Sequence, residues 1–333
     1  MTISEIAKLA GVSNAAVSRY LNNGYLSDDK KAAIKKVIEE TGYQPSLQAQ
    51  ILRTHKTKLC GVIFQNVAEY DYGFLINGIA DVLDEKGYGL LFARADNTDD
   101  DLISAAQDMK KRLVDSLMIL SENISREAED ALHGLGLPLM VAGSKCESLH
   151  SVYYDQTGAI KEITGLLLRH GKSRPAFVGL SPKYKQQGAG RFDGFRAAIN
   201  ASNVQLDTKV IVLCDSHTDN GYQAAKALLE RVPGIDAVCC ATDELAVGAL
   251  RYLKDADRTD VMVTGCGNSP ILQSADRPLL SADTNLKVLA VNATEFLCDV
   301  LEKKDAGDQN ADTPTPIQKR LPAKLINITE AFS

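Results

Sequence analysis

The chain has 333 residues, of which 45% are hydrophobic and 24% are charged, and its formal net charge is −6. This length is typical of two or three globular domains, and no run approaches the roughly 18 uncharged apolar residues of a membrane span. The first residues, MTISEIAKLAG, lack the basic and apolar regions of a signal peptide. We therefore expect a cytoplasmic protein without a membrane partner.

Charge is distributed unevenly along the chain. Residues 1–58 contain nine Lys and Arg against five Asp and Glu, whereas the remaining residues contain 28 against 38. A basic head on an acidic body suits a nucleic-acid partner at one end. A solvated, lysine-rich helix face would give much of the same excess, so charge alone favours DNA binding only weakly.

The first 45 residues have the pattern of three short helices. Thr2-Ile-Ser-Glu5 is a capping box for the first helix, Ser13 is placed to cap the second, and the third runs from about residue 27 to 41. Ala7, Gly11 and Val17 fall where a helix-turn-helix unit needs a small residue at the crossing, a turn glycine and an apolar clamp. The spacing therefore predicts a helix-turn-helix domain over residues 1–45.

The outer face of the second helix is polar and nearly without charge. It carries Asn14, Ala15, Ser18 and Arg19, a set suited to close approach and hydrogen bonding in a major groove. A generic three-helix bundle explains the apolar stripe of these helices but not this outer face. The pattern favours a helix that reads DNA.

Residues 46–58 separate this unit from the rest of the chain. Pro45 breaks the third helix, residues 46–52 could form barely two turns, and a basic, polar run follows from Arg53 to Lys58. A helix that short is marginal in water by itself. The stretch fits a hinge helix with a linker, and a plain linker explains it equally well.

From residue 59 onward, short apolar strands alternate with amphipathic helices. Near-continuous apolar strands between helices indicate parallel sheets that are covered on both faces. The fold class is therefore α/β, with two Rossmann-like lobes split near residue 155 in a core over residues 59–333. We expect the N-lobe to contain about residues 59–155 and 285–315, and the C-lobe about 156–284 and 316–333. Sheets of this kind bind ligands at the carboxyl ends of their strands.

Motifs for catalysis and for metal binding are missing from the sequence. The HGKSR run at 170–174 has its nearest upstream glycine one residue too far away for a phosphate-binding loop, and no G-x-S-x-G is present. The five histidines are dispersed, and the seven cysteines are scattered without a C-x-x-C. We expect no enzyme activity, no metal site and no cofactor.

The segments TISEIAKLAGVSNAAVSRYLNN and GYQPSLQAQILRTHKT, followed by a two-lobed core, resemble the lactose/galactose-repressor (LacI/GalR) family almost end to end. Members of that family are homodimers or tetramers with a helix-turn-helix head, a hinge helix and an effector-binding, dimerising core of the periplasmic-binding-protein type. The resemblance implies that Asn14 and Ala15 open the recognition helix and that Arg19 reads bases. It also implies that phosphate groups are contacted by Thr2, Ser13, Ser18 and Asn22. Leu52 would be the hinge leucine, which is wedged into the minor groove. Ala16 stands where the family usually has Thr, so one phosphate contact is expected to be missing.

Two core motifs of the same family map onto the second half of the chain. GRFDGF resembles R-x-x-G-F and implies that Arg191 clamps sugar hydroxyls, while ATDELAVGAL resembles D-x-x-A-x-G and implies a ligand-lining Asp243. The alternatives are that Arg191 only holds the cleft through an ion pair and that Asp243 is only a helix N-cap. In Gly265-Cys266-Gly267-Asn268 the usual Asp is missing, which leaves Asn268 as the polar candidate.

The runs YYDQTGAIKEI, CATDELAVGALRYL and GCGNSP look most like the trehalose-repressor branch, which senses a phosphorylated disaccharide. Where that branch places an Arg after the first core strand, this chain reads Phe64-Gln65-Asn66. The sequence therefore leaves open whether the effector carries a phosphate. Arg94, Lys145 or Lys183 could substitute, or could be surface charges. Since the chain lacks Trp, a stacking platform would come from Tyr70, Tyr72 or Phe74. The expected effector site consists of Phe74, Arg94, Asp155, Arg191, Asp243 and Asn268.

The resemblance implies a nucleoid-associated repressor of a carbohydrate operon that binds palindromic operator DNA. A sugar or sugar phosphate, trehalose- or sucrose-like, would control it as an inducer. The alternatives are a co-repressed regulator that binds a purine and a cytosolic sugar-processing enzyme, for which no acid/base motif is recognisable. A sugar-binding module without regulation would have an export signal and no DNA-binding head.

Overall fold

A computed structural model describes residues 1–21, 24–43, 51, 56–65, 72–96, 98–121, 124–180, 185–202, 204–306 and 315–327. The chain separates into two compact units, Met1–Lys58 and Leu59–Ser333. The expected hinge helix lies almost wholly outside the described residues, and so do Asn22, Leu52, Tyr70 and Lys183.

The described part of the first unit contains three helices, α1 (Ile3–Leu9), α2 (Asn14–Leu21) and α3 (Asp28–Thr41). The capping box at the start of α1 is formed: the Thr2 hydroxyl accepts from the Glu5 N–H at 3.3 Å, and the Glu5 carboxylate accepts from the Thr2 N–H at 2.7 Å. Between α1 and α2 the chain turns at Gly11, whose φ of 64° is a left-handed conformation that glycine adopts without strain.

Helix α2 begins where the Ser13 hydroxyl accepts from the Ala16 N–H at 3.2 Å. The three helices then enclose a small core that includes Ile6, Val17 and Ile34, each fully buried. Burial of one apolar stripe per helix stabilises such short helices, which would be marginal alone. The predicted helix-turn-helix arrangement is therefore present.

The second unit alternates strands and helices throughout. In chain order the elements are β1 (Leu59–Gln65), α4 (Tyr72–Glu85), β2 (Gly89–Ala95), α5 (Asp99–Lys111), β3 (Ser116–Leu120), α6 (Arg126–His133), β4 (Leu139–Ala142), β5 (His150–Tyr154), α7 (Gln156–Arg169), β6 (Pro175–Leu180), α8 (Lys185–Asn200), β7 (Ile211–Cys214), α9 (Thr218–Arg231), β8 (Ala237–Cys240), α10 (Asp243–Asp255), β9 (Met262–Gly267), β10 (Leu280–Asp283), α11 (Leu286–Asp305), β11 (Gln318–Leu321) and β12 (Lys324–Ile326). Short 3-10 turns lie at Thr208–Val210 and Pro270–Ser274.

Each lobe of this unit is built on a six-stranded sheet. The N-lobe sheet has the order β11-β5-β4-β3-β1-β2 and is parallel throughout. The C-lobe sheet has the order β12-β10-β9-β8-β6-β7, with only β12 antiparallel to its neighbour. This is the two-lobed α/β architecture that the alternation of strands and helices predicts.

Alternation along the buried strands divides the N-lobe core between the two faces of its sheet. Val62 and Met118 pack on one face with side chains of α4 and α11, while Ile63 and Ile119 pack on the other with α5 and α6. Because both faces are covered, the strands are apolar at nearly every position. That is why β3 reads Ser-Leu-Met-Ile-Leu with all five residues buried.

Within the described residues, the chain passes between the lobes at three short connections. Asp155 joins β5 to α7, residues 284–285 join β10 to α11, and residues 322–323 join β11 to β12. The Tyr154 hydroxyl donates to the Asn285 carbonyl at 3.2 Å, and Arg320 donates to Asp155 at 3.1 Å. These bonds tie the three connections together at the base of the cleft.

One predicted lobe boundary is wrong. Residues 316–333 were expected in the C-lobe, but β11 pairs in parallel with β5 of the N-lobe sheet, with Lys319 opposite Val152. Only β12, which follows two residues later, joins the C-lobe by pairing with β10. The last crossing therefore lies after Leu321.

Candidate functional site

The outer face of α2 carries the residues expected to meet DNA. Asn14, Ala15 and Arg19 are exposed, whereas Ala16 and Val17 point into the core of the first unit. The Asn14 side-chain amide donates to the Ser4 hydroxyl at 2.9 Å, which holds it at the start of the helix. Arg19 is exposed, so the five N–H donors of its guanidinium are accessible to a partner.

The hydroxyls expected to contact phosphate lie at the starts of α1 and α2. Thr2 and Ser13 are both exposed and both accept a capping bond from the backbone, which leaves the hydrogen of each hydroxyl to donate. Ser18 is half-buried on α2. Helix starts also present uncapped backbone N–H groups, which favour anions such as phosphate.

The second unit contains a cavity of about 440 Å³ between its lobes. The N-lobe lines it largely with apolar side chains from α4, β5, α11 and the carboxyl ends of β3 and β4. This apolar wall consists of Phe74, Leu75, Leu120, Ala142, Tyr154, Leu286 and Leu289. Phe74 is 43% exposed, so its ring stands open at the cavity.

The C-lobe lines the opposite side mainly with polar groups. This polar wall consists of Gln156, Arg191, Ser216, Thr242, Glu244, Asn268, Ser269 and Asp283. The two walls give the cavity one face that favours apolar contact and another that favours hydrogen bonding.

Arg191 projects from α8 into the polar wall and is only 7% exposed. Its Nε donates to the Gln156 side-chain oxygen at 2.9 Å, and one terminal nitrogen donates to the Ala241 carbonyl at 3.0 Å. Both acceptors belong to the C-lobe and carry no net charge. The planar guanidinium is thus held in one orientation within its lobe while it lines the cavity.

A polar cluster that was not predicted from the sequence lies at the carboxyl ends of β7 and β8. The Ser216 and Thr242 hydroxyls lie 2.7 Å apart, and Ser216 also contacts the Glu244 carboxylate at 3.4 Å. These residues follow directly after strands of a parallel sheet, where ligand-binding groups are expected. Their position after the strands is the sequence signal for this cluster, whereas the family motif contains only Asp243.

Asp243 does not line the cavity in this structure, because it is fully buried behind the polar wall. Its carboxylate accepts from the Ser269 N–H and from the Ser281 hydroxyl, both at 2.7 Å. Burial raises the pKa of this carboxyl to about 6, against the lowering effect of the two hydrogen bonds. The alternative that Asp243 is an N-cap is wrong, since Thr242 caps α10 by accepting from the Leu245 N–H.

Asp243 instead fixes the loop after β9 that contributes Asn268 and Ser269 to the cavity. Gly265 and Gly267 run directly against its carboxylate, and a Cβ at Gly265 would collide with it. Asn268 has a φ of 56°, a left-handed conformation that asparagine tolerates better than most residues. The sequence Gly-Cys-Gly-Asn therefore allows the loop to wrap closely around a buried carboxylate.

Besides Asp243, two more expected effector residues lie outside the cavity lining. Arg94 on β2 is largely exposed, 3.6 Å from Asp96. Asp155 lies at the first crossing, where it caps α7 by accepting from the Gly158 N–H at 2.8 Å and also binds Arg320. Of the predicted set, the structure brings Phe74, Arg191 and Asn268 together at the cavity. Lys145 is exposed and lies outside the lining.

In the described part of the chain, the His, Cys, Asp and Glu side chains form no group of three or more that could hold a metal ion. None of the helices described is both long and apolar enough to cross a membrane.

A helix-turn-helix unit and a two-lobed core that encloses a cavity together define the class of DNA-binding regulators that carry a ligand-binding domain. A family model of periplasmic binding proteins and the sugar-binding domain of the LacI family matches residues 56–293, and a model of bacterial regulatory proteins of the lacI family matches residues 2–46. The chain belongs to the LacI family and is a DNA-binding transcriptional regulator.

Relatives and solved structures agree with this assignment along almost the whole chain. The chain is 24% identical to the HTH-type transcriptional regulator RegA of Clostridium saccharobutylicum, over 93% of this chain and 95% of that protein. It is 26% identical to the sucrose operon repressor of Staphylococcus xylosus, over 90% and 93%. The fold is similar to that of the lac repressor dimer bound to operator and the anti-inducer ONPF, with a TM-score of 0.84 at 18% identity over 98% and 97%. It is also similar to a CelR–cellobiose complex, with a TM-score of 0.68 at 24% identity over 98% of each chain.

Proposed function

We propose that the chain is a repressor of a carbohydrate operon, which binds operator DNA as a homodimer and is released by a sugar in the interlobe cavity. The observation that carries the proposal is the cavity itself, with its apolar N-lobe wall opposite a polar C-lobe wall on which Arg191 is fixed. Relatives named as a sucrose operon repressor and a cellobiose complex of CelR support the effector class.

The two walls match the surface of a sugar ring. A pyranose has apolar C–H faces and a rim of hydroxyl groups, so it packs against an aromatic ring and hydrogen-bonds at its edge. Phe74 offers such a ring, and Arg191, Asn268 and Glu244 offer donors and acceptors opposite it. The volume lies within the roughly 300–1,000 Å³ of small-molecule sites, which is enough for a mono- or disaccharide.

Exposed apolar residues on two edge strands support the homodimer. β2 and β7 each end their sheets, and they expose Phe92 at 49% and Leu213 at 47%. An open strand edge with exposed apolar side chains favours association with another chain. A dimer also supplies two α2 helices, one for each half-site of a palindromic operator.

The sugar acts by favouring an arrangement in which the lobes are closed around it over an arrangement in which they are open. Closure around a ligand bends the three crossings at the base of the cleft, and a change in lobe angle alters the dimer that holds the two heads. A ligand that prefers one state by ~100-fold per site biases the equilibrium by about 2.7 kcal/mol. We propose that this bias lowers operator affinity, which makes the sugar an inducer.

A two-step experiment tests the proposal. Thermal-shift measurements on the full chain with a panel of sugars and purines identify a ligand, and a fluorescence-anisotropy titration then measures operator binding with and without it. We expect a sugar to raise the melting temperature and to weaken operator binding at least tenfold. A purine that stabilises the protein and tightens operator binding would instead identify a co-repressed, non-sugar regulator.

Two matched variants separate the head from the core in the same assays. Arg19→Ala is expected to weaken operator binding at least tenfold without a change in the ligand-induced thermal shift. Arg169→Ala removes another exposed arginine, from α7 of the core, and should change neither quantity. Operator binding that survives Arg19→Ala unchanged would contradict the role of α2.

A further inference from the structure

The formal charge of the described cavity lining is balanced. Arg191 and Lys287 contribute two positive charges, and Glu244 and Asp283 contribute two negative charges. A sugar phosphate adds about two negative charges at neutral pH, and recognition of such a dianion normally uses arginine or lysine that can turn toward it. The question is therefore whether the two cations are available and whether the two carboxylates tolerate an anion.

Both cations are already bound by groups of the protein. Arg191 donates to Gln156 and to the Ala241 carbonyl. The Lys287 ammonium lies 2.8 Å from the Asp81 carboxylate. Neither cation is therefore free to turn toward a phosphate: Arg191 is held in one orientation within its lobe, and Lys287 is paired with Asp81 at the surface.

The two carboxylates, in contrast, require hydrogen-bond donors. One carboxylate oxygen of Asp283 is buried and has no hydrogen-bond partner among the described residues, although buried polar atoms are normally satisfied. Glu244 is 8% exposed and accepts a long contact of 3.4 Å from Ser216. A carboxylate has about four acceptor sites, so both side chains have room for further donors.

A sugar hydroxyl satisfies this requirement and a phosphate does not. Hydroxyls donate as well as accept, whereas the oxygens of a phosphate dianion only accept and would repel both carboxylates in a cavity of reduced dielectric. The fully buried Asp243 behind the polar wall adds a third carboxyl to this side.

Resting on the function proposed above, we propose that the effector is an uncharged, hydroxyl-bearing sugar, and that Glu244 and Asp283 are the residues that select it against phosphate esters. This separates the chain from the phosphorylated-disaccharide sensing that the resemblance to the trehalose-repressor branch implies. The selection arises because the carboxylates of Glu244 and Asp283 accept hydrogen bonds from sugar hydroxyls but not from a phosphate. The sugar ring packs against the apolar wall opposite them.

Isothermal titration of the full chain with matched pairs tests the inference directly. Suitable pairs are trehalose and trehalose 6-phosphate, sucrose and sucrose 6-phosphate, and glucose and glucose 6-phosphate. In any pair that binds, the uncharged member is expected to bind at least tenfold more tightly than its ester. Equal or tighter binding of the ester overturns the inference while the sugar-controlled function stands. If no member of any pair binds, the sugar effector itself is wrong and the inference fails with it.

Charge-removing variants assign the selection to the two carboxylates. Glu244→Gln and Asp283→Asn are each expected to weaken binding of the uncharged sugar. Each should also reduce the ratio of sugar affinity to ester affinity at least threefold. A merely structural role would weaken both members by the same factor and leave the ratio unchanged. Asp219→Asn is the matched control, because it removes a carboxylate of the same lobe that is 93% exposed. A ratio that moves as much in the control as in the two variants would contradict the assignment.

Discussion

Replacing Asp243 by Asn tests whether the carboxylate behind the polar wall is held at a cost to stability. The carboxylate is fully buried, and two donors, the Ser269 N–H and the Ser281 hydroxyl, bind its oxygens at 2.7 Å. Asparagine has nearly the same shape. Its oxygen can accept from Ser269, and its amide can donate to Ser281 once that hydroxyl rotates. The variant therefore resembles the protonated form of Asp243.

The pKa of Asp243 gives the size of the effect. Burial raises it from 3.8 to about 6, and Glu244 adds to the rise while the two hydrogen bonds and Arg191 oppose it. Each pKa unit corresponds to 1.36 kcal/mol, so the ionised carboxyl costs about 3 kcal/mol relative to the protonated one in the folded state. At pH 7.5 we expect Asp243→Asn to be more stable than the wild type, by at most about 3 kcal/mol.

The sign of the pH dependence follows from the same shift. The folded state binds this proton more tightly than the unfolded state, so the contribution to wild-type stability is greatest below pH 3.8 and is lost as the pH rises to about 6. The variant lacks this term. Its advantage over the wild type should shrink by about 1.5 kcal/mol between pH 7.5 and pH 5.

Urea unfolding at pH 7.5 and pH 5, at one fixed protein concentration because the chain is proposed to dimerise, measures this difference of differences. The exposed-site variant Asp219→Asn should show no such change. If Asp243→Asn is less stable than the wild type at pH 7.5, or if its advantage grows at pH 5, the ionised carboxylate is a net stabiliser and the reasoning is refuted.

Three further outcomes are expected. Gly248→Ala places a Cβ against the Thr218 carbonyl where α9 and α10 cross. Urea unfolding should show a free energy of unfolding that is lower by about 3 kcal/mol. Gly73→Ala is the control and should not destabilise the protein, because its Cβ meets no atom within 4 Å. Leu213→Lys places a charge on the exposed edge of β7, and sedimentation should show dimer dissociation increased at least tenfold; an unchanged dimer would place the interface elsewhere. Arg191→Lys removes the planar guanidinium that can bind two acceptors at once. Titration calorimetry should therefore show at least tenfold weaker sugar binding. Undiminished affinity would exclude the proposed role of Arg191 in clamping sugar hydroxyls.

The head was predictable from sequence because its signals are local. A capping box, a turn glycine and an apolar clamp each act within a few residues, and the structure contains Thr2 bound to Glu5, Gly11 in a left-handed turn and Val17 fully buried. The alternation of strands and helices is also a local signal, which is why the two parallel sheets could be expected from it.

Sheet membership was not predictable in the same way. β11 reads Gln-Lys-Arg-Leu, with three exposed residues, so its composition does not tell which of two sheets it joins. That choice depends on pairing with β5, more than 150 residues earlier in the chain. The error in the predicted boundary at residue 316 follows from this long-range pairing.

The cavity was predictable only in part, since a motif gives the position of a residue but not the direction of its side chain. At the start of α10, Thr242 and Glu244 line the cavity, whereas Asp243 between them is bound by Ser269 and Ser281 behind it. Arg94 was expected there because it stands at the end of the second core strand, yet it lies outside the cavity lining.

The three crossings between the lobes also have a consequence for how the protein is made. The N-lobe sheet needs β11, and its core needs α11, both of which follow the entire C-lobe in the chain except β12. During synthesis, the first five strands leave the ribosome with one face short of its covering helix until residues 286–305 emerge. One face of the nascent N-lobe sheet therefore stays incompletely covered while the C-lobe is translated. Truncation anywhere before residue 321 would leave two unfinished lobes, and neither lobe can be expressed as one continuous segment.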